Sequence, residues 1–224
     1  MHTIQNLIIV GTSHIAIESI QEVTKAIVEL KPDIIALELD LKRFKRLISG
    51  KEHKVKLSDI RQKGFLINLI GAYIERYLGK KVGVMPGAEM KEAIRLAKED
   101  KIKIALIDQD ISITLRKLKE NFTWREKLRL VKTILTAPFA TQSTKKIKLD
   151  LTKVPEQKLI NQLTLQVKKE YPSIYKVLIE ERNEIMASKL ITLMHENKKV
   201  LAIVGAGHVS GMERIIKWNL AKKK

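Results

Sequence analysis

The sequence predicts one α/β domain with a mostly parallel sheet flanked by helices and a large helical insertion before the last strand. Its short apolar runs are continuous rather than alternating, which is typical of strands covered on both faces. Segments with helical periodicity lie between several of these runs. The chain has 224 residues, of which 45% are hydrophobic. It can therefore bury the core of one such domain.

Apolar runs predict the strands, and two amphipathic segments between them predict crossover helices. The first helix covers 15–30 and ends near Pro32, because proline cannot continue a helix. The second helix covers 89–98. Each strand–helix–strand unit implies a right-handed crossover between parallel strands. The predicted strands are 7–10, 34–39, 82–85, 102–107 and 200–204.

Two stretches depart from this alternation. Residues 59–78 are apolar on nearly every side of a predicted helix, so we expect that helix to be buried or to form a homodimer interface. Residues 112–193 form a mainly helical insertion, with breaks at prolines 138, 155 and 172. The chain from 1 to 224 is therefore predicted to be a single domain with one insertion.

The charge balance is strongly basic, with 43 Lys and Arg residues against 25 Asp and Glu, a net charge of +18. The excess is mainly lysine scattered in pairs, and aromatic residues make up only 4%. Nucleic-acid grooves favour organised arginines or stacking aromatics, so we expect no nucleic-acid partner. A solvated lysine surface is favoured, and contact with an anionic membrane surface is the alternative. The absence of cysteine excludes disulfides and thiolate chemistry.

The first and last predicted strands end in the same motif, Gly-x-x-His. The motif lies at Gly11 and His14 after the first strand, and at Gly205 and His208 after the last. Glycine permits a close backbone approach, and ligands bind at the carboxyl edge of open α/β sheets. Both imidazoles would meet at this edge if the two strands are neighbours. The alternative for each histidine is a hydrogen-bonded surface or cap residue.

The second predicted strand carries a carboxylate, Glu38, inside an otherwise apolar run. Burying an unpaired carboxylate is costly, so Glu38 needs a cation or a partner base. The alternative to a functional role is a salt bridge, for example to Arg43 or Arg182. Asp40 follows on the same face. Asp108, after the fourth strand, is expected to cap the next helix.

Two histidines and one glutamate are a familiar ligand set for a catalytic divalent ion with an open position. Such an ion polarises a carbonyl and activates a bound water. Without a metal, Glu38 could instead activate His14 to draw a proton from water. The spacing of these residues does not separate the two alternatives.

These motifs resemble, in their order along nearly the whole chain, those of the TraB/PrgY/GumN family, which includes the TIKI proteins. The resemblance implies a fold related to the erythromycin-esterase and ChaN-like groups. It also implies a metal-dependent peptidase with Mn, Co or Zn, because the TIKI branch is similar to such enzymes. The motifs are Gly11-Thr12-Ser13-His14, Ala36-Leu37-Glu38-Leu39-Asp40, Glu181-Arg182-Asn183-Glu184-Ile185-Met186-Ala187 and Gly205-Ala206-Gly207-His208.

Carried over by position, the resemblance implies a metal site at His14, Glu38 and His208. It implies catalytic roles for Glu38, Arg182 and Asn183, with Arg182 as the partner of an oxyanion. Substrate contacts are expected at four further positions near the strand ends, namely Arg43, Glu89, Gly11 and Gly205.

The expected function is hydrolysis of a peptide substrate. The alternatives are a non-catalytic peptide-binding protein, like those that shut down pheromone signalling, and a metal-free esterase-like hydrolase. Gln109 stands where many similar sequences carry Arg, which weakens any role for that loop. Proteins of this type often continue into C-terminal membrane segments. If this chain is part of such a longer protein, we expect the domain to lie at the cytoplasmic face of a membrane, and we expect the chain as given to be soluble. The lysine and isoleucine content is typical of an archaeal or thermophilic protein.

Overall fold

The computed structural model describes residues 1–13, 17–49, 87–136, 157–196 and 198–222. Within them lies a five-stranded sheet in the order β1-β2-β5-β3-β4, in which β2, β5, β3 and β4 are parallel and β1 is antiparallel to β2. The strands are β1 (His2–Ile4), β2 (Leu7–Thr12), β3 (Ile34–Leu37), β4 (Lys103–Leu106) and β5 (Val200–Gly205).

This sheet confirms the predicted α/β class and four of the five predicted strands. The segment 82–85 lies outside the described residues. Strand β1 was not predicted. It joins β2 through a turn in which Gln5 has a φ of 54°.

The helices follow the predicted pattern. The expected helices at 15–30 and 89–98 are confirmed, and the described parts of 112–193 are helical, whereas the helix expected at 59–78 lies outside the described residues. The helices are α1 (Ile17–Leu30), α2 (Leu41–Ser49), α3 (Ala88–Glu99), α4 (Ile111–Asn121), α5 (Trp124–Thr136), α6 (Gln157–Glu170), α7 (Pro172–Tyr175), a π-helical turn (Lys176–Glu180), α8 (Glu181–Met194) and α9 (Ala206–Lys222).

The sheet is covered on both faces, which explains why its strands are apolar without alternation. On one face, buried residues of α8 and α9, such as Leu190 and Met212, pack against the strands. On the other face, buried residues of α1 and α3, such as Ile27 and Ala93, form a second cluster. Proline shapes two helix ends: α1 stops before Pro32, and Pro172 occupies the first turn of α7.

The strand register brings the carboxyl ends of four strands together. Thr12 of β2 pairs with Gly205 of β5, and Leu37 of β3 pairs with both Ile203 of β5 and Leu106 of β4. The first and last parallel strands are therefore neighbours, as a shared site for the two Gly-x-x-His motifs requires. In the part of the chain that is described, no helix has the length and apolar character needed to cross a membrane.

Candidate active site

A cluster of polar side chains lies at the carboxyl edge of the sheet, and we call it the acid–base cluster. Three of its members are ionisable side chains that are almost fully buried: Glu38 is 3% exposed, His208 5% and Asp108 7%. Buried ionisable groups that converge at the ligand-binding edge of an α/β sheet are typical of functional sites. The cluster consists of Glu38 after β3, Asp108 after β4, Arg182 and Asn183 at the start of α8, and His208 in the first turn of α9.

Arg182 holds the acid–base cluster together. Its Nε and Nη2 donate to the two carboxylate oxygens of Asp108 over 3.1 and 2.9 Å. Nη2 also donates to Oε1 of Glu38. Nη1 donates to the carbonyl of Leu178 over 3.2 Å and lies 3.1 Å from Nε2 of His208. A guanidinium has five N–H donors, so every N–H of Arg182 has an acceptor.

These contacts keep Arg182 charged. Burial opposes the charge, but the hydrogen bonds to Asp108 and the negative charge of Glu38 outweigh it and raise the pKa of Arg182. The guanidinium therefore remains a fixed cation between two buried carboxylates at every accessible pH.

Asn183 sets the tautomer of His208. Nδ1 of His208 lies 2.7 Å from Oδ1 of Asn183. An amide oxygen only accepts hydrogen bonds, so Nδ1 carries the proton. Nε2 then has the lone pair of a neutral imidazole and accepts from Arg182. The basic nitrogen of His208 therefore points into the acid–base cluster, 3.4 Å from Oε1 of Glu38.

Glu38 lies at the N-terminus of α9. Its Oε2 accepts a hydrogen bond of 2.6 Å from the backbone N–H of Gly205, the residue that joins β5 to this helix. The partial positive charge of a helix N-terminus stabilises a carboxylate. The second Gly-x-x-His motif therefore contacts Glu38 twice, through the backbone N–H of Gly205 and through the side chain of His208.

Two glycines, one in the first motif and one just after the second, permit close helix packing. A Cβ on Gly11 would lie 2.7 Å from Cγ2 of Val209, so the end of β2 can approach α9 only without a side chain. A Cβ on Gly211 would lie 2.2 Å from Nδ2 of Asn183. Gly211 therefore leaves the space in which Asn183 reaches His208. The close approach expected at the first motif is confirmed, as packing between protein segments.

The other described residues that the sequence singled out are not members of the acid–base cluster. Arg43, which was an alternative partner for Glu38, lies 3.7 Å from Oδ2 of Asp108. Glu89 is buried in the first turn of α3. Asp40 starts α2, because its Oδ1 accepts from the backbone N–H groups of Lys42 and Arg43 over 2.7 and 2.9 Å. His14 lies outside the described residues.

The expectation that Asp108 caps the next helix is wrong. Asp110 caps α4 instead, accepting from the backbone N–H of Ser112 over 2.8 Å. This leaves Asp108 free to pair with Arg182. The signal for this role is the position of Asp108, an acidic residue directly after a buried strand at the same edge as Glu38.

The described donors offer part of a metal site. Nε2 of His208 and Oε1 of Glu38 are 3.4 Å apart, close to the separation of about 3.3 Å between two ligands on a tetrahedral ion with bonds of about 2.0–2.1 Å. Arg182 contacts both atoms. Among the described residues, no group of three or more His, Asp or Glu side chains could hold a metal ion. The pair therefore fits a metal only if a third ligand such as His14 joins it and Arg182 withdraws.

Comparison with known proteins identifies relatives along nearly the whole chain. Residues 2–223 match the model of the TraB/PrgY/gumN family. An uncharacterised protein of Methanocaldococcus jannaschii is 37% identical over 95% of this chain and 53% of its own length. A TraB domain-containing protein of Mus musculus is 25% identical over 92% of this chain and 61% of its own length. The chain thus spans between half and two thirds of these relatives.

A search of solved structures finds a ChaN protein of Campylobacter jejuni, whose structure is described as showing cofacial heme binding. The match covers 90% of this chain and 70% of that chain, with 15% sequence identity and a TM-score of 0.39.

Proposed function

Because the chain belongs to the TraB/PrgY/gumN family, we propose that it is a hydrolase that cleaves the C–N bond of an amide in a peptide substrate at the acid–base cluster. The observation that carries this proposal is the buried pair of His208 and Glu38, whose Nε2 and Oε1 atoms lie 3.4 Å apart at the carboxyl edge. A peptide is proposed because the motifs resemble those of the peptidase-like TIKI branch.

His208 is proposed as the general base. With its proton on Nδ1, its Nε2 is the atom that can take a proton from an attacking water. The imidazolium that results would direct its new N–H to Oε1 of Glu38, the carboxylate already closest to it. Asn183 would hold the ring in place throughout, as the second partner of a catalytic histidine does.

Arg182 is proposed as a positioning residue. As a partner for an oxyanion it would have to release one of its present acceptors, because each of its N–H groups is already engaged. The contact with His208 is the one lost when His208 becomes protonated, since Nε2 then has no lone pair. The two bonds to Asp108 would keep the guanidinium in place during that change.

Metal-assisted hydrolysis at the same atoms is the second candidate. The separation of Nε2 and Oε1, which suits two ligands of one ion, favours it. A divalent ion held by Glu38, His208 and His14 would polarise the carbonyl and lower the pKa of a bound water. In this case Arg182 would withdraw from both donors while remaining bound to Asp108.

The test is turnover of a peptide mixture by the purified chain, followed by mass spectrometry, in EDTA and with added Mn²⁺, Co²⁺ or Zn²⁺. We expect cleavage that His208→Gln and Glu38→Gln abolish. The matched control, His195→Gln at the exposed C-terminus of α8, should retain full activity. Activity in EDTA supports the metal-free base, and activity that requires an added ion supports the metal-assisted form. Binding without turnover in any condition would instead support a peptide-binding protein.

A further inference from the structure

Two arginines approach the same carboxylate. Within the described residues, only one of them has an acceptor for each of its N–H groups. Arg182 contacts Asp108 with two hydrogen bonds and uses its other donors on the rest of the acid–base cluster. Arg43 lies 3.7 Å from Oδ2 of the same Asp108, which is longer than a hydrogen bond. Among the described residues this is the one contact assigned to the Arg43 guanidinium. No other described side chain or backbone carbonyl holds its donors at the rim of the site.

The fold fixes where Arg43 stands. Its backbone N–H donates over 2.9 Å to Oδ1 of Asp40, the residue that starts α2 directly after β3 and Glu38. The side chain of Arg43 is 34% exposed, against 15% for Arg182. Arg43 therefore projects from an anchored helix start, with one side toward Asp108 and the other toward solvent.

Three cations and three carboxylates lie at and around Asp108. The ammonium group of Lys189 donates to the backbone carbonyl of Asp108 over 2.9 Å, which adds a third cation to Arg182 and Arg43. Against these stand the carboxylates of Asp108 and Glu38. The buried carboxylate of Asp40, which holds the backbone N–H of Arg43, is the third, so cations and carboxylates balance at this edge. Nearby Lys42 and Asp110 pair with each other over 2.7 Å and leave that balance unchanged.

We propose that Arg43 binds a carboxylate of the peptide substrate and so makes the site specific for peptides that carry one near the scissile bond. The planar guanidinium matches a carboxylate with two parallel hydrogen bonds, which a lysine cannot reproduce. This inference rests on the proposed hydrolase function. It adds the substrate class, which is a peptide with a C-terminal carboxylate or with an acidic side chain at that position.

The test compares three peptide probes by calorimetry and by turnover: acetylated trialanine with a free C-terminal carboxylate, the same peptide with a C-terminal amide, and the amide with a central glutamate. We expect the free carboxylate or the glutamate probe to bind about 10- to 100-fold more tightly than the neutral amide, as for a charged hydrogen-bonded pair. The probe that gains affinity identifies which carboxylate is used.

Variants separate Arg43 from the general basic charge of the surface. Arg43→Gln should remove the preference for the carboxylate, and Arg43→Lys should retain only part of it. The matched control is Arg46→Gln, which removes the same charge from an exposed position on α2 and should keep the preference intact. Because the Arg43 side chain is one third exposed and its guanidinium has no short contact with the part of the chain that the structure describes, thermal unfolding of both variants should match that of the native chain.

The proposal is overturned if acid and amide probes bind equally, if neither binds up to about 5 mM, or if the preference survives in Arg43→Gln. Failure of the proposed hydrolase function gives a different result. In that case a carboxylate preference lost in Arg43→Gln would be measured by calorimetry, without cleavage of any probe. Cleavage with no such preference would leave the hydrolase proposal standing and refute this one.

Discussion

Replacing Gly211 with alanine should disturb His208 indirectly, through Asn183. The new Cβ would lie 2.2 Å from Nδ2 of Asn183, a distance that folded proteins do not tolerate, and 3.1 Å from its Cγ, which is a tight contact. Asn183 is 4% exposed and has little room to move. A displacement of about 1 Å is needed to restore ordinary contact. It would stretch the 2.7 Å bond between Asn183 and His208 beyond hydrogen-bond range.

The expected cost follows from opposing terms. Overpacking a buried site costs about 1–3 kcal/mol, and leaving a buried polar group without its partner costs about 1–3 kcal/mol. Alanine in place of glycine stabilises a helix by up to about 1 kcal/mol, which offsets part of this loss. We therefore expect Gly211→Ala to lower the free energy of unfolding by about 1–6 kcal/mol.

Gly207 on the same helix is the matched control, because a Cβ there would meet nothing within 4 Å. Gly207→Ala should be neutral or stabilising by up to about 1 kcal/mol. Guanidinium unfolding measures both variants, and the ¹⁵N shifts of the His208 ring report whether its proton stays on Nδ1. Equal stability of the two variants, with an unchanged ring spectrum, would refute the assigned packing. In a double-mutant cycle, Asn183→Ala should remove most of the cost of Gly211→Ala.

Two further predictions concern stability. Arg182→Met leaves two buried carboxylates without their cation and should cost about 3–5 kcal/mol in chemical unfolding, whereas Lys117→Met, which removes a partly exposed ion pair with Glu181, should cost less than about 1 kcal/mol. Similar losses in both would contradict the burial of the acid–base cluster. Burial opposes the charge of Glu126, but hydrogen bonds from Thr123 and Ser173 outweigh it and lower its pKa. Its stabilising effect is therefore present above the unfolded pKa of about 4.3 and lost as pH falls. Glu126→Gln should weaken the fold at pH 7 and flatten the decline in stability between about pH 5 and 3, and urea unfolding at several pH values would show the opposite if the carboxylate were destabilising.

The sheet was largely predictable because its strands are buried on both faces. A continuous apolar run is then a sufficient signal, and the central strands start at or within one residue of the predicted positions. The end of β3 was placed too late because Leu39 is apolar and buried. Its backbone N–H bonds to the carbonyl of Leu37, which turns the chain out of the sheet. Strand β1 has only Ile4 buried, so no apolar pattern marks it.

The candidate site was predictable where a polar residue interrupts an apolar pattern. Glu38 stands out in this way, and His208 stands out through the Gly-x-x-His motif that two strand ends share. Arg182 lies in a helix start among charged neighbours and has no such mark. It could be named only as one of two salt-bridge partners for Glu38, and the family resemblance indicated its role. Asp108 was mistaken for a cap because Asp110, two residues later, has the same helix-starting chemistry. Sequence alone does not decide which of two aspartates turns inward, because that depends on the position of Arg182 on a helix more than 70 residues away.

The cost of the acid–base cluster is itself an argument about its role. Removing carboxylates and a guanidinium from water costs several kcal/mol per ion. Apolar side chains of similar volume often stabilise a fold more than a buried ion pair does. The sheet beside the cluster is already well packed, with Leu37, Leu39 and Val204 buried in apolar contacts. Stability alone would therefore favour apolar residues at the positions of Glu38 and Asp108. Ionisable groups kept at such a cost are typical of functional sites, and the comparison of carboxylate and amide probes tests the proposal that this site binds an acidic peptide.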